Sequence, residues 1–135
     1  MLEYSPLPWT KDLLPEDHQY LTFLKKVFRH ELRKNGFKRI STAILESQEI
    51  IDEVFGENQE TIYKTNDGCL RSHSTVGILR TYLEHNLSEE IQPVYYYFMD
   101  QYFNVDDNGK YSEMERFGWE IIGENDPILD AILIY

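Results

Sequence analysis

Residues 95–105 read Tyr-Tyr-Tyr-Phe-Met-Asp-Gln-Tyr-Phe-Asn-Val, followed by Asp106-Asp107-Asn108-Gly109 and then by Lys-Tyr-Ser-Glu-Met-Glu-Arg-Phe-Gly-Trp-Glu-Ile-Ile-Gly as far as Gly123. Aromatic and β-branched residues crowd both arms, and the polar cluster between them has short side chains and a glycine free to take positive φ. The stretch therefore predicts an antiparallel hairpin. Strand side chains alternate in direction. The returning arm sorts Tyr111, Phe117, Trp119 and Ile121 onto one side and Met114, Arg116, Gly118 and Glu120 onto the other. If the arms pair around that turn, Asn104 and Asp106 look the same way as Arg116 and Glu120. One side is greasy; the other is expected to be a polar floor. A half-exposed sheet with a wet face explains such a floor as readily as a binding site does.

With 135 residues and 41% hydrophobic content, the chain suffices for one domain with a core, and residues 1–135 are read as a single unit. Twenty-four acidic against 13 basic residues give a formal charge of -11, which disfavours a general nucleic-acid or anionic-membrane surface. The lone Cys69 precludes an internal disulfide and suits a reducing cytoplasm. No apolar run approaches about 20 residues and the N-terminus lacks a signal pattern, so neither a membrane span nor secretion is expected. His18, His30, His73 and His85 have no metal-ligand spacing, and neither a Ser/His/Asp order nor a Gly-rich phosphate loop stands out. No metal site is expected.

Earlier in the chain, Pro6, Pro8 and Pro15 punctuate a loop leading to a helix from Glu16, with Tyr20, Leu21, Leu24, Val27, Phe28 and Leu32 as its buried stripe and Asn35-Gly36 as its stop. Lys25, Lys26, Arg29, Arg33 and Lys34 cover the other faces of that helix and read as solvated flank. Residues 37–45 are β-prone, and Glu46-Ser47 precedes a short helix with Ile50, Ile51, Val54 and Phe55 that stops at Gly56. A second hairpin is expected from Thr61–Thr65 through Asn66-Asp67-Gly68 to Cys69–His73. After it comes a helix capped by Ser72 or Ser74, with Val76, Leu79, Leu83 and Leu87 inside and Tyr82 beside them. Asp126-Pro127 starts a last helix bearing Ile128, Leu129, Ile132 and Leu133, an apolar segment running to Tyr135 that asks for a cover.

The order of several segments is familiar. Thr10-Lys-Asp-Leu-Leu-Pro-Glu-Asp17, Gly36-Phe-Lys-Arg-Ile-Ser-Thr-Ala-Ile-Leu-Glu46, Leu70-Arg-Ser-His-Ser-Thr75, Tyr82-Leu-Glu-His85, Gln92-Pro-Val-Tyr-Tyr96 and Arg116-Phe-Gly-Trp-Glu-Ile-Ile-Gly123 follow one another as in one family. The chain resembles the N-terminal half of the catalytic core of histidyl-tRNA synthetase, a class II aminoacyl-tRNA synthetase. The resemblance implies an α+β fold, an antiparallel sheet flanked by helices, incomplete relative to the family's whole core. It also implies ATP with Mg2+ and histidine as substrates, a homodimer built on the first helix and strand, and tRNA bound through regions outside this chain. In that family histidine and ATP react to histidyl-adenylate and pyrophosphate, a step that demands positioning and positive charge at the α-phosphate.

Position by position, Glu120 matches a Glu that holds the substrate ammonium, and Thr75 a Thr serving the same group. His73 stands where the family has a further Glu, so an acceptor has become a group able to carry positive charge itself. Asn104 replaces the Arg that grips the α-phosphate, and Asp106 a Glu near adenine. Met114 lies where an aromatic packs on adenine, Arg116 where a Gln contacts substrate, and Ala43 where the first motif has Pro. Losing the guanidinium at position 104 forfeits a charged bidentate contact. Two functions are implied: histidine activation, impaired or incomplete in this chain alone, with Arg116 taking over the phosphate contact from the same strand face; or a non-catalytic histidine-binding or regulatory paralogue, similar to the regulatory subunit of ATP phosphoribosyltransferase. A dimerisation module built on the first helix is a third possibility.

Overall fold

The computed structural model describes residues 4–56, 62–106 and 108–134. The predicted hairpin is its spine: β5 (Val94–Val105) and β6 (Tyr111–Ile122) pair antiparallel through twelve unbroken rows, from Val94 opposite Ile122 to Val105 opposite Tyr111. No bulge interrupts the alternation, so the parity read from the sequence holds along both arms. Asp106 closes the turn, its Oδ1 accepting from the amides of Asn108 at 2.9 Å and Lys110 at 2.8 Å. Asp107 lies outside the described residues.

A short strand, β1 (Lys38–Arg39), joins β5 in parallel, with the Ile40 amide donating to the Tyr97 carbonyl at 2.9 Å. The rest of the β-prone stretch 37–45 does not pair until β2 (Leu45–Glu46), which belongs to a second sheet with β3 (Lys64–Thr65) and β4 (Gly68–Leu70) in the order β2-β4-β3. The second hairpin is thus present but short, and Thr61 lies outside the described residues. Arg71 stitches the two sheets together: its amide donates to Ile44 and its carbonyl accepts from Phe103.

Helices cover both faces of the main sheet. On one side α1 (Pro15–Lys34) and α4 (Pro127–Ile134) contribute Phe28, Leu32 and Leu133 to a core around Phe37, Tyr97 and Met99, joined by Phe117 and Ile121. Phe28 stacks within 5.4 Å of Phe117 and 5.6 Å of Trp119, as the greasy side of the returning strand requires. On the other side α3 (Ser74–Glu84) packs Ile78 and Tyr82 against Val94, Tyr96, Phe98 and Tyr102. The face expected to be a polar floor is therefore half core. Tyr96, Phe98 and Tyr102 occupy three of the even positions of β5, and α3 removes them from water.

Several boundaries differ from the sequence reading. Leu79 and Leu83 of α3 are exposed, at 42% and 71%, while Val76, Ile78 and Tyr82 face inward. Of the expected stripe Val76 is buried and Leu87 packs on the core beside Tyr82, but Leu79 and Leu83 are turned out and Ile78 takes their place. The cap of α3 is His73, not Ser72 or Ser74, and it makes no side-chain cap bond. On α1 only Leu21, Phe28 and Leu32 of the predicted stripe are half-buried, and Tyr20, Leu24 and Val27 remain exposed. In α2 (Gln48–Phe55) Ile51 alone is buried, in a small core with Ile62, Cys69 and Val76. Gly36 and Gly56, both at φ +85°, end α1 and α2 as foreseen. For α4, Asp126 Oδ1 accepts from the Ile128 amide at 3.0 Å, the cap predicted for it.

Candidate functional site

Met114, Arg116, Gly118 and Glu120 stand on the face of β6 that looks toward α3, opposite Tyr102, Asp100, Phe98 and Tyr96 of β5. Arg116 is the most heavily engaged of them. With the Asn104 amide turned so that both its ends are satisfied, Asn104 Oδ1 accepts from Arg116 Nη2 at 3.1 Å and the amide nitrogen donates to the Phe103 carbonyl at 2.9 Å. Arg116 Nη1 donates to the Ser72 carbonyl at 3.5 Å, and Nε to Met114 Sδ at 3.3 Å. The hydrogen-bonding roles of a guanidinium are fixed. One N–H on each terminal nitrogen is left over.

Tyr102 forms the floor beneath. Its ring lies 5.5 Å from the Arg116 guanidinium and 5.2 Å from that of Arg71, and it is fully buried. Burial pushes its phenol upward, against a hydrogen bond with Ser74. Arg71, itself buried, is committed to structure: Nε donates to the Gln101 carbonyl and Nη1 to the Thr42 carbonyl, both at 2.6 Å, and Nη1 lies 3.6 Å from Asp100 Oδ2. Asp100 also accepts from Ser41 Oγ at 3.1 Å. This clamp carries no role in the sequence reading, although Arg71 lies within a matching segment. A basic residue between β4 and a helix gives no sign of burial until β5 closes over it.

At the other end, Thr75 in the first turn of α3 donates to Glu120 Oε1 at 2.8 Å. Burial raises the Glu120 carboxyl above its ordinary value, with the Thr75 hydroxyl pulling the other way. Four residues of strand place the Arg116 and Glu120 backbones about 13 Å apart. Between them Gly118 is half-buried, and the Phe98 ring lies across it; a Cβ there would sit 2.2 Å from Phe98 Cζ. The two ends share one face and one aromatic floor.

The remaining predicted residues are less central. His73 is exposed and packs on Phe55 at 4.8 Å between ring centroids; burial of its ring and then the Arg116 charge lower its pKa. Asp106 lies past the end of β5 and spends its Oδ1 on the turn, which holds its carboxyl below the usual range, the Lys110 amide contributing most. It does not join the group around Arg116. Met114 does, through Arg116 Nε. Beside the cleft, the Ser72 hydroxyl is buried with no hydrogen-bond partner. Ala43 belongs to the unpaired stretch between β1 and β2.

Chemically the arrangement is bipolar. A carboxylate with a hydroxyl at one end suits an ammonium, and a guanidinium fork at the other suits an oxyanion.

No protein-family model matches the chain. Among curated proteins, the histidine–tRNA ligase of Desulforamulus reducens is 32% identical over 136 residues, spanning 93% of this chain and 32% of the ligase. That of Syntrophomonas wolfei is 29% identical over the same length and shares. Among solved structures, a Bacillus halodurans ATP phosphoribosyltransferase regulatory subunit/histidyl-tRNA synthetase superposes with a TM-score of 0.85 at 23% identity, over 99% of this chain and 36% of that one. Apo S. aureus histidyl-tRNA synthetase superposes with a TM-score of 0.78 at 25% identity, over 99% and 32%. The chain spans about a third of the length of the curated relatives it matches. Over 93% of its residues it is a histidyl-tRNA synthetase-like region, folded as part of a class II aminoacyl-tRNA synthetase-like domain.

Proposed function

We propose that this region binds histidine and ATP as a synthetase-like site does, with Glu120 and Thr75 taking the substrate ammonium and Arg116 taking the carboxylate or the α-phosphate. Asn104, where the family has its phosphate-gripping Arg, becomes the prop that holds Arg116. The observation that carries this reading is the shared face: Glu120, held by the Thr75 hydroxyl at 2.8 Å, and Arg116, beside Asn104, stand on the same side of β6 over the Phe98 and Tyr102 rings. Met114 would lie against adenine, and His73 beside the amino-acid end. Among the described residues no group of three or more His, Cys, Asp or Glu side chains is placed to hold a metal ion.

A second reading has its own support. Arg116 already spends three donors on protein groups, and His73 offers no acceptor charge to an ammonium, a pattern that suits a histidine-binding regulator that does not catalyse. The regulatory-subunit description of the B. halodurans structure keeps that reading alive. ATP–pyrophosphate exchange with histidine, run beside calorimetric titration of each ligand, separates the two. Exchange that drops about a hundredfold in Arg116→Ala supports activation. Histidine binding without exchange supports the regulator, and exchange unchanged in Arg116→Ala sinks the role given to Arg116.

Exposed Tyr20, Phe23, Leu24 and Val27 on α1 support a homodimer through that helix. Sedimentation of Phe23→Asp should then report a monomer where the parent chain sediments as a dimer. The cytoplasm and a tRNA partner follow from the family alone; no described helix is long and apolar enough to cross a membrane.

A further inference from the structure

Positive charge on this acidic chain is concentrated. Residues 25–39 hold seven of its 13 lysines and arginines and a single acidic residue, Glu31, while the whole chain stands at -11. A merely solvated flank would scatter those charges around the helix. Instead Arg29 and Arg33, one turn apart on α1, converge with Lys38 and Arg39 of β1 on a hollow of about 530 Å3 backed by Phe37 and Tyr97. A second hollow, lined by Lys26, His30 and Lys34 and sharing Arg29 and Arg33, continues it along the helix. From Lys26 to Lys34 the strip runs about 12 Å.

Little on the protein neutralises it. Among the described residues neither Arg29 nor Arg33 enters an ion pair, whereas Lys25 is taken by Glu115. Lys38 and Arg39 approach Glu90 and Asp100 only at 4.0 Å. Like charges at i and i+4 oppose the helix that carries them, and apolar backing strengthens every charge interaction above it. Such a cluster is stabilised by a multivalent anion. Tyr97 lies on the α1 side of the sheet, so this hollow opens on the opposite side from Arg116 and Glu120.

We propose that the Arg29–Arg33–Lys38–Arg39 hollow binds a ligand presenting several closely spaced phosphate groups. Guanidinium forks from a helix and a strand meet phosphate oxygens in pairs, which a single surface lysine cannot do. The two sources of that chemistry are a compact polyphosphate and the phosphodiester backbone of a nucleic-acid strand.

The test is calorimetric titration of the whole chain with sodium tripolyphosphate in one arm and a short single-stranded RNA in the other, at two salt concentrations. The parent chain is compared with Arg29→Gln/Arg33→Gln and with Lys11→Gln/Lys64→Gln, which removes the same charge elsewhere. Saturable binding in either arm that weakens about tenfold or more in the first variant, and not in the second, supports the site and identifies its source. The dependence on salt should also become shallower in that variant. Binding that the two variants weaken equally is a bulk-charge effect and overturns the proposal, as does the absence of saturable binding in both arms. Circular dichroism checks that each variant keeps its helices. Tripolyphosphate that binds at Arg116 instead is insensitive to Arg29→Gln/Arg33→Gln, so failure of this test leaves the functional reading standing.

Discussion

Substituting Gly118 by Ala probes the middle of the cleft most directly. An added methyl at this position would lie 2.2 Å from Phe98 Cζ, 2.8 Å from Cε1 and 2.9 Å from Cε2, well inside van der Waals contact. The ring cannot simply swing away. It is buried, set edge-on to Tyr102 at 6.1 Å, and packed in the cluster with Ile78 and Tyr82. Overpacking of this kind costs about 1–3 kcal/mol. A 2.2 Å contact belongs in the upper half of that range, about 2–3 kcal/mol, and replacing glycine recovers about 0.5–1 kcal/mol of unfolded-chain entropy, so a net loss of about 1–2.5 kcal/mol is expected. For a chain of this length that is roughly 3–8 °C in Tm. Scanning calorimetry or urea titration of Gly118→Ala, Phe98→Leu and the double variant forms a cycle in which the double should be less destabilised than the sum of the singles. Additive losses, or an unchanged Gly118→Ala, would refute the claim that glycine is there to admit the Phe98 ring.

Glu120 should give a pH signature. Its folded-state pKa is raised by burial, so the folded protein prefers the carboxyl protonated, and the stability this contributes at low pH is lost as pH rises from the ordinary glutamate range through the raised value. Glu120→Gln, whose amide oxygen can still accept from Thr75, should therefore match the parent in acid and exceed it at neutral pH in urea titrations; an equal loss at every pH contradicts this. At His73 the signs differ, because burial and then the Arg116 charge lower its pKa and favour the neutral ring. The associated stability is full above the ordinary histidine value and fades as pH falls through it, and Arg116→Ala should move the NMR titration midpoint of His73 upward. A midpoint that stays put would show that Arg116 does not reach it.

The strand parity of the hairpin is legible in residues 95–123 because a twelve-row ladder without a bulge preserves alternation from end to end. Alternation alone puts Asn104, Met114 and Arg116 on one face, and they touch. Asp106 has the right parity, but the ladder ends at Val105 and the turn claims its carboxylate. Leu79 and Leu83 show the opposite failure. Their spacing fits a helix stripe, yet which stripe is buried depends on where the aromatic even face of β5 lies, and helical periodicity is silent on that.

By itself the sequence determined the local features: two β-rich arms with a turn between them, the helix stops at Gly36 and Gly56, and which side of β6 bears Arg116 and Glu120. Those follow from backbone preference and a period of two, which need no distant partner. Tertiary structure alone decided that β1 runs parallel to β5 from nearly sixty positions away, that Arg71 is buried against Asp100, and that four scattered cations share one hollow. Each of these depends on segments brought together only when both faces of the sheet are covered, because burial and charge proximity are properties of the packed chain and not of its neighbouring residues.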